Sequence, residues 1–204
     1  MGESASDTVD VVFGLAGMTL PADHSFALMR EVVRCLPWLQ DEPEAGVHPI
    51  RSASTDYGVV LLPRRAKLVL RLPERRVADS MALAGRQLEI AGKMLRVLGG
   101  SVRQLRPWGA LYAHLVTCDG DGEQRFLERV ASRLATLKTP AQPVCGRRHT
   151  LRTDEGEIVG FSLLLHALVP EHSIRLQCVG IGGSRKLGCG IFVPHRLATA
   201  VGSA

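Results

Sequence analysis

Two successive rounds of strand, helix, strand, strand, helix, strand can be read along the 204 residues, and they predict an α+β protein of two tandem ferredoxin-like halves. Three observations carry that expectation. Thr8–Ala16 is an apolar, β-branched run followed at once by a helix-start signal. Lys67–Leu72 alternates, with Leu68, Leu70 and Leu72 on one side and Lys67, Val69 and Arg71 on the other. A second apolar run, Leu111–Thr117, then precedes the strongest helical period in the chain, Glu123–Leu137.

Met1–Asp7 is a polar tail, and Thr8–Ala16 reads as a buried strand. Leu20-Pro21-Ala22-Asp23 announces a helix from about His24 to Leu36, with Asp23 as its cap and Pro37 as its stop. Leu28, Val32 and Cys35, with Met29, Val33 and Leu36, form its apolar face. Val47–Ile50, Tyr57–Leu62 and Lys67–Leu72 are short strands, Arg75–Leu83 is a second helix, and Leu88–Leu98 is a strand pair. In the second round Phe126, Leu127, Val130, Leu134 and Leu137 share one helix face. Thr150–Arg152 and Ile158–Leu168 form a hairpin turning at Asp154-Glu155-Gly156. Pro170 opens a helix from Ile174 to about Val179, and Cys189–Val193 closes the sheet. This divides the chain into an N-terminal half (1–102), a linker (103–109) and a C-terminal half (110–204). The halves share no detectable identity, so the duplication rests on element order.

With 46% hydrophobic residues the chain can bury one substantial core or two small ones. The net charge of +5 and pI near 9.2 favour a polyanionic partner. Only Lys67, Lys93, Lys138 and Lys186 among the 25 basic residues are lysine; the rest are arginine, whose planar fork suits phosphate contacts. A GC-rich coding sequence produces the same bias, and composition does not separate the two. Five dispersed cysteines without C-x-x-C spacing, and no apolar signal segment, point to reduced thiols in a cytoplasm and argue against a structural zinc. No apolar run is long enough to span a bilayer.

The block Gly180–His195 (GIGGSRKLGCGIFVPH) is the most informative segment. Gly180, Gly182, Gly183, Gly188 and Gly190 interleave with Ser184, Arg185 and Lys186. Glycines of this density allow positive φ and leave N–H groups free to face an anion, and adjacent cations suggest phosphate. Tight turns between a helix and a strand use the same residues.

Tandem ferredoxin-like halves ending in this block resemble the RAMP superfamily of CRISPR systems. Within it, Leu20-Pro-Ala-Asp-His24, Gly46-Val-His48-Pro-Ile50, Arg64–Pro73 and the Gly180–His195 block look like the Cas-six pre-crRNA endoribonucleases of the myxan-subtype branch. The resemblance implies binding of a CRISPR repeat RNA, as precursor and mature crRNA, and one cut in each repeat with no metal and no cofactor. It implies attack of a ribose 2′-hydroxyl on the adjacent phosphate, leaving a 2′,3′-cyclic phosphate. It also implies partnership with other subunits of a type I interference complex.

Such a cleavage needs a base for the 2′-hydroxyl, an acid for the leaving 5′-oxygen and a cation for the phosphorane. His24, on the first turn of the first helix, is the leading candidate: the helix N-terminus favours a neutral imidazole, and the family's catalytic histidine lies in or just after this helix. His48 is the alternative, although a His-Pro pair also simply opens a strand. His114 and His166 fall inside strand patterns and read as structural, while His149 and His172 lie on polar, solvated segments. His195 follows its strand and reads as structural or RNA-contacting. Many relatives pair the histidine with tyrosine and lysine; this chain has Phe26 where the tyrosine would stand, and its tyrosines are Tyr57 and Tyr112. Either Ser25, Arg30 or Arg34 fills the role, or the site is a minimal one with a slow, single-turnover reaction. For RNA binding the candidates are the glycine block with Arg185 and Lys186, a group of Arg64, Arg65, Lys67 and Arg71, and a group of Arg147, Arg148 and Arg152. At 4% aromatic residues, base stacking is not the main expectation. Two other classes compete: a non-catalytic RAMP subunit that only holds crRNA, and an unrelated ferredoxin-like protein with a phosphate loop, the latter disfavoured by the lack of Walker or Rossmann glycine spacing.

Overall fold

Thr8–Ala16 forms β1 in a computed structural model that describes residues 8–50, 53–54, 58–120 and 122–196. The tail Met1–Asp7 and Tyr57 lie outside the described residues. After β1 come β2 (Thr19–Pro21), α1 (Ser25–Cys35), β3 (Gly46–Val47), β4 (Ala53–Ser54), β5 (Val59–Leu61) and β6 (Lys67–Pro73). One-turn α2 (Val77–Ser80), flanked by 3-10 turns, leads to β7 (Gln87–Ile90) and β8 (Lys93–Gln104). The rest is β9 (Ala110–Thr117), α3 (Glu123–Thr136), β10 (Gln142–Thr153), β11 (Gly156–His166), α4 (Pro170–Val179) and β12 (Val193–Pro194).

The first sheet has the order β3-β6-β1-β8-β7 and the second β10-β11-β9-β12, with the strands antiparallel throughout. In each, the half's first strand lies between its third and fourth, and the second strand is at the edge. That is the ferredoxin-like arrangement, present twice, with β2, β4 and β5 forming a small sheet inserted before β6. One face of each sheet is covered by helix. Leu28 and Val32 of α1 join Val11, Phe13, Leu68 and Leu70 in the first core. Phe126, Val130 and Leu134 of α3 join Leu111, Ala113, Leu163 and Leu165 in the second. The opposite sheet faces carry the polar residues from which the site is built.

Several elements depart from the sequence expectation, each for a local reason. His24, not Asp23, is the N-cap of α1 and makes no side-chain cap bond. The Asp23 carboxylate instead accepts the Arg152 N–H (3.2 Å), across to β10. The helix expected over Arg75–Leu83 is broken into three short turns. Strand β8 continues to Gln104, leaving 105–109 as the connection. β10 begins at Gln142, well before Thr150, because an edge strand with one wet face need not look apolar. At the C-terminal end only Val193–Pro194 pairs with β9. Cys189, Ile191 and Phe192 are buried, but φ values of +87° at Gly188 and +65° at Gly190 take the preceding chain out of extended geometry.

Candidate active site

The first wall of the site is the start of α1. The His24 side chain is 5% exposed, and its Nδ1 lies 2.9 Å from the Pro21 carbonyl. A carbonyl only accepts, so Nδ1 carries the hydrogen and Nε2 holds a lone pair. Nε2 is buried without a hydrogen-bond partner. Burial pushes the imidazole below its ordinary value, against the Pro21 and Ala22 carbonyls, so the ring is neutral at pH 7. Ser25, beside it, is half-buried and lines a cleft. Of the two cations considered with it, Arg34 is bound to Glu31 (2.8 Å) and the Gln87 carbonyl, and Arg30 lies over the Phe26 ring.

His48 belongs to a different, buried cluster. β1 sets Asp10 opposite Arg71 of β6 and Arg103 of β8, on the helix-free face. Arg71 grips the Asp10 carboxylate at 2.8 and 3.2 Å and donates to the main-chain carbonyls of Gln177 (3.0 Å) and Phe192 (2.7 Å). It is 1% exposed, so it joins the two halves and is not part of a basic surface with Arg64, Arg65 and Lys67, which stay exposed. Burial pushes the Asp10 carboxyl up, but His48 and Arg71 outweigh it and hold it well below the usual carboxylate range. His48 Nε2 is 3.5 Å from Asp10; burial, which the Asp10 contact only partly offsets, lowers its pKa to about 4.

The glycine block does not present its cations at a tip. The Arg185 guanidinium turns inward, donating from Nη2 to the Cys178 carbonyl (3.0 Å), with Nε and Nη1 buried and the pKa lowered by burial to about 10. Lys186 Nζ donates to the Gln40 carbonyl. Gly183 N–H is taken by Thr117 Oγ1 (3.1 Å) and Gly190 N–H by the Leu115 carbonyl (2.7 Å). A Cβ on Gly180 would come within 2.3 Å of the Gly190 carbonyl, so these glycines are needed for a close main-chain crossing. Gly182, Gly183 and Ser184 remain exposed.

Between α1 and the second sheet lies a cleft of about 270 Å³. Asp23 and Ser25 line one side, Pro49, Leu187 and Gly188 lie along it, and His114 of β9 and His149 of β10 form the other side. Their ring centroids are 4.3 Å apart. His149 is opposite Gly160 of β11, so no side chain there separates the rings. Burial lowers the pKa of both, with His114 and Arg147 adding to the effect on His149. The structure thus brings Ser25 to the cleft, sets His24 behind its wall and His48 behind Pro49, and adds two histidines expected to be structural or merely solvated. The available signal was alternation: Leu111 and Ala113 point to the core, which leaves His114 on the helix-free face. Arg147 and Arg148 are exposed on β10, where a bulge between Cys145 and Arg148 shifts the register.

Among the described residues, no group of three His, Cys, Asp or Glu side chains could hold a metal ion, and no helix is long and apolar enough to cross a membrane. None of the five cysteines forms a disulfide.

The fold is of the RAMP type. A structure described as a RAMP protein binding different RNA substrates superposes with a TM-score of 0.68 at 10% identity, covering 90% of this chain and 98% of that one. A CRISPR associated protein Cas6 superposes with a TM-score of 0.67 at 8% identity, covering 93% and 100%. The family model Cas6, described as Cas6 Crispr, matches residues 9–197. A CRISPR-associated endonuclease Cas6 from Myxococcus xanthus is 37% identical over 196 residues, covering 96% of this chain and 85% of the relative. This chain belongs to the Cas6 family.

Proposed function

We propose that the chain is a metal-independent endoribonuclease that binds CRISPR repeat RNA in the cytoplasm and cuts the precursor once per repeat. The 37% identical relative, named as an endonuclease, supports the activity. The observation that carries the chemistry is a neutral His24 with its Nε2 lone pair unpartnered, behind a cleft wall that ends in Ser25. In this reading the RNA supplies its own nucleophile. The 2′-hydroxyl attacks the adjacent phosphorus, its proton passes to His24, the bond to the 5′-oxygen breaks, and a 2′,3′-cyclic phosphate remains. Arg147 and Arg148, with Arg64, Arg65 and Lys67, are among the exposed cations available to the RNA backbone.

The test is single-turnover cleavage of the repeat RNA in EDTA with analysis of the product ends. Cleavage to a cyclic phosphate is expected, at least about 100-fold slower in His24→Ala with RNA affinity retained. A strict requirement for magnesium or manganese would overturn the reading, and an unimpaired His24→Ala beside an inactive His48→Ala would move the base to the second histidine.

A further inference from the structure

In the proposed cleavage the departing 5′-oxygen still needs a proton. His24 donates Nδ1–H to Pro21 and offers only a lone pair at Nε2, so it can take a proton but has none to give on that side. Asp23 is occupied in accepting the Arg152 N–H, and the Ser25 hydroxyl does not ionise near neutrality. Displacement at phosphorus places the entering and departing oxygens on opposite sides of the phosphorus, so base and acid belong on opposite walls. Across the cleft from Ser25 stand His114 and His149.

We propose that His114 and His149 act together as the general acid, giving one proton to the 5′-oxygen as its bond to phosphorus breaks. The proposal rests on the endoribonuclease reading. The proton balance closes: His24 gains the 2′-proton, the pair loses one to the new 5′-hydroxyl, and both exchange with solvent afterwards. Two imidazoles with centroids 4.3 Å apart resist carrying two charges, so the pair carries at most one extra proton, which either ring can deliver. The ionisable groups around them are Asp23 and the Cys189 thiol, which line the same cleft, the thiol pushed up to about 11 by burial and so neutral, and Arg147, which disfavours the charged form of His149. A bound RNA phosphate adds negative charge to the cleft and favours the imidazolium.

The experiment compares two repeat RNAs in EDTA, one natural and one with sulfur in place of the 5′-oxygen at the cut mapped with the wild-type protein. A thiolate leaves without being protonated. The double variant His114→Gln, His149→Gln should cut the natural RNA at least about 100-fold more slowly yet cut the sulfur RNA at close to the wild-type rate. His24→Ala should be slow on both. The single variant His114→Gln, altering an exposed side chain, keeps the test independent of folding and should show a smaller defect with the same sulfur rescue. A double variant that cuts natural RNA at the wild-type rate, or that is equally slow on both RNAs, overturns the acid role. Wild-type protein that cuts neither RNA in EDTA overturns the endoribonuclease reading itself, and the acid with it.

Discussion

Replacing Arg71 with methionine keeps most of the side-chain volume and removes the charge that ties the first sheet to the second half. Arg71 makes two contacts to Asp10, at 2.8 and 3.2 Å, and donates to two main-chain carbonyls of the C-terminal half, at 3.0 and 2.7 Å. Removing one partner of a buried pair leaves the other charge unpaired, at roughly 3–5 kcal/mol. The orphaned carbonyls add to this, about 1 kcal/mol or more each. Arg103 still reaches Asp10 at 2.9 Å from a 60% exposed side chain and offsets part of the loss. The expected destabilisation at pH 8 is therefore about 4 kcal/mol. Adding Asp10→Asn to that variant should recover about 1–2 kcal/mol, because no unpaired charge then remains buried. The loss should also depend on pH. The Arg71 charge is one of the influences holding His48 neutral, so its removal raises the folded-state pKa of His48. A raised folded pKa contributes stability at low pH that disappears as pH rises through it. The variant should accordingly lose less at pH 5 than at pH 8, measured by urea unfolding with Trp38 and Trp108 fluorescence. A loss below about 1 kcal/mol at pH 8 would refute the claim that this cluster joins the halves.

The wild-type protein should weaken as pH falls from 6.5 toward 4, because unfolded His48 takes up a proton that the folded state, with its pKa lowered to about 4, refuses. At about 1.4 kcal/mol per unit the loss approaches 3 kcal/mol, and a urea midpoint unchanged between pH 7 and 4.5 would contradict it. Arg147→Ala with Arg148→Ala should weaken repeat-RNA binding and reduce the salt slope by roughly 0.7 per lost phosphate contact, whereas Arg185→Ala with Lys186→Ala should lower Tm and leave that slope unchanged. The reverse pattern would return the glycine block to the RNA surface.

Much of the fold was legible because periodicity reports which side chains enter an apolar layer. Val11 and Phe13 of β1, Leu68 and Leu70 of β6, and Phe126, Val130 and Leu134 of α3 all lie where their spacing puts them. Burial driven by charge pairing leaves no such signature. Arg71 has the same alternation as a solvent-facing residue, and the partners that make its face an interior one, Asp10, Gln177 and Phe192, lie 61, 106 and 121 positions away. The histidine pair was hidden for a related reason. His114 and His149 are on a helix-free sheet face, where a cleft wall and a wet surface have the same polar pattern, and their meeting depends on β10 pairing next to β11.

The glycine block shows how one composition can serve two physical ends. An anion cradle and a close crossing of main chains both require glycine, since each needs positive φ or the absence of Cβ. What separates them is the destination of the N–H groups and the neighbouring cations, and here Arg185 and Lys186 both bind carbonyls of the protein itself. The close contacts extend to the N-terminal half. A Cβ on Gly188 would come within 2.7 Å of Pro49, and one on Gly46 within 2.8 Å of Ile191. Leu187 and Gly188 line the same cleft as Ser25, His114 and His149. The block therefore sets how closely the first half approaches the second, and through that distance the width of the cleft between the start of α1 and the histidine pair. In the proposed reaction, the width of that cleft is what separates the base from the acid.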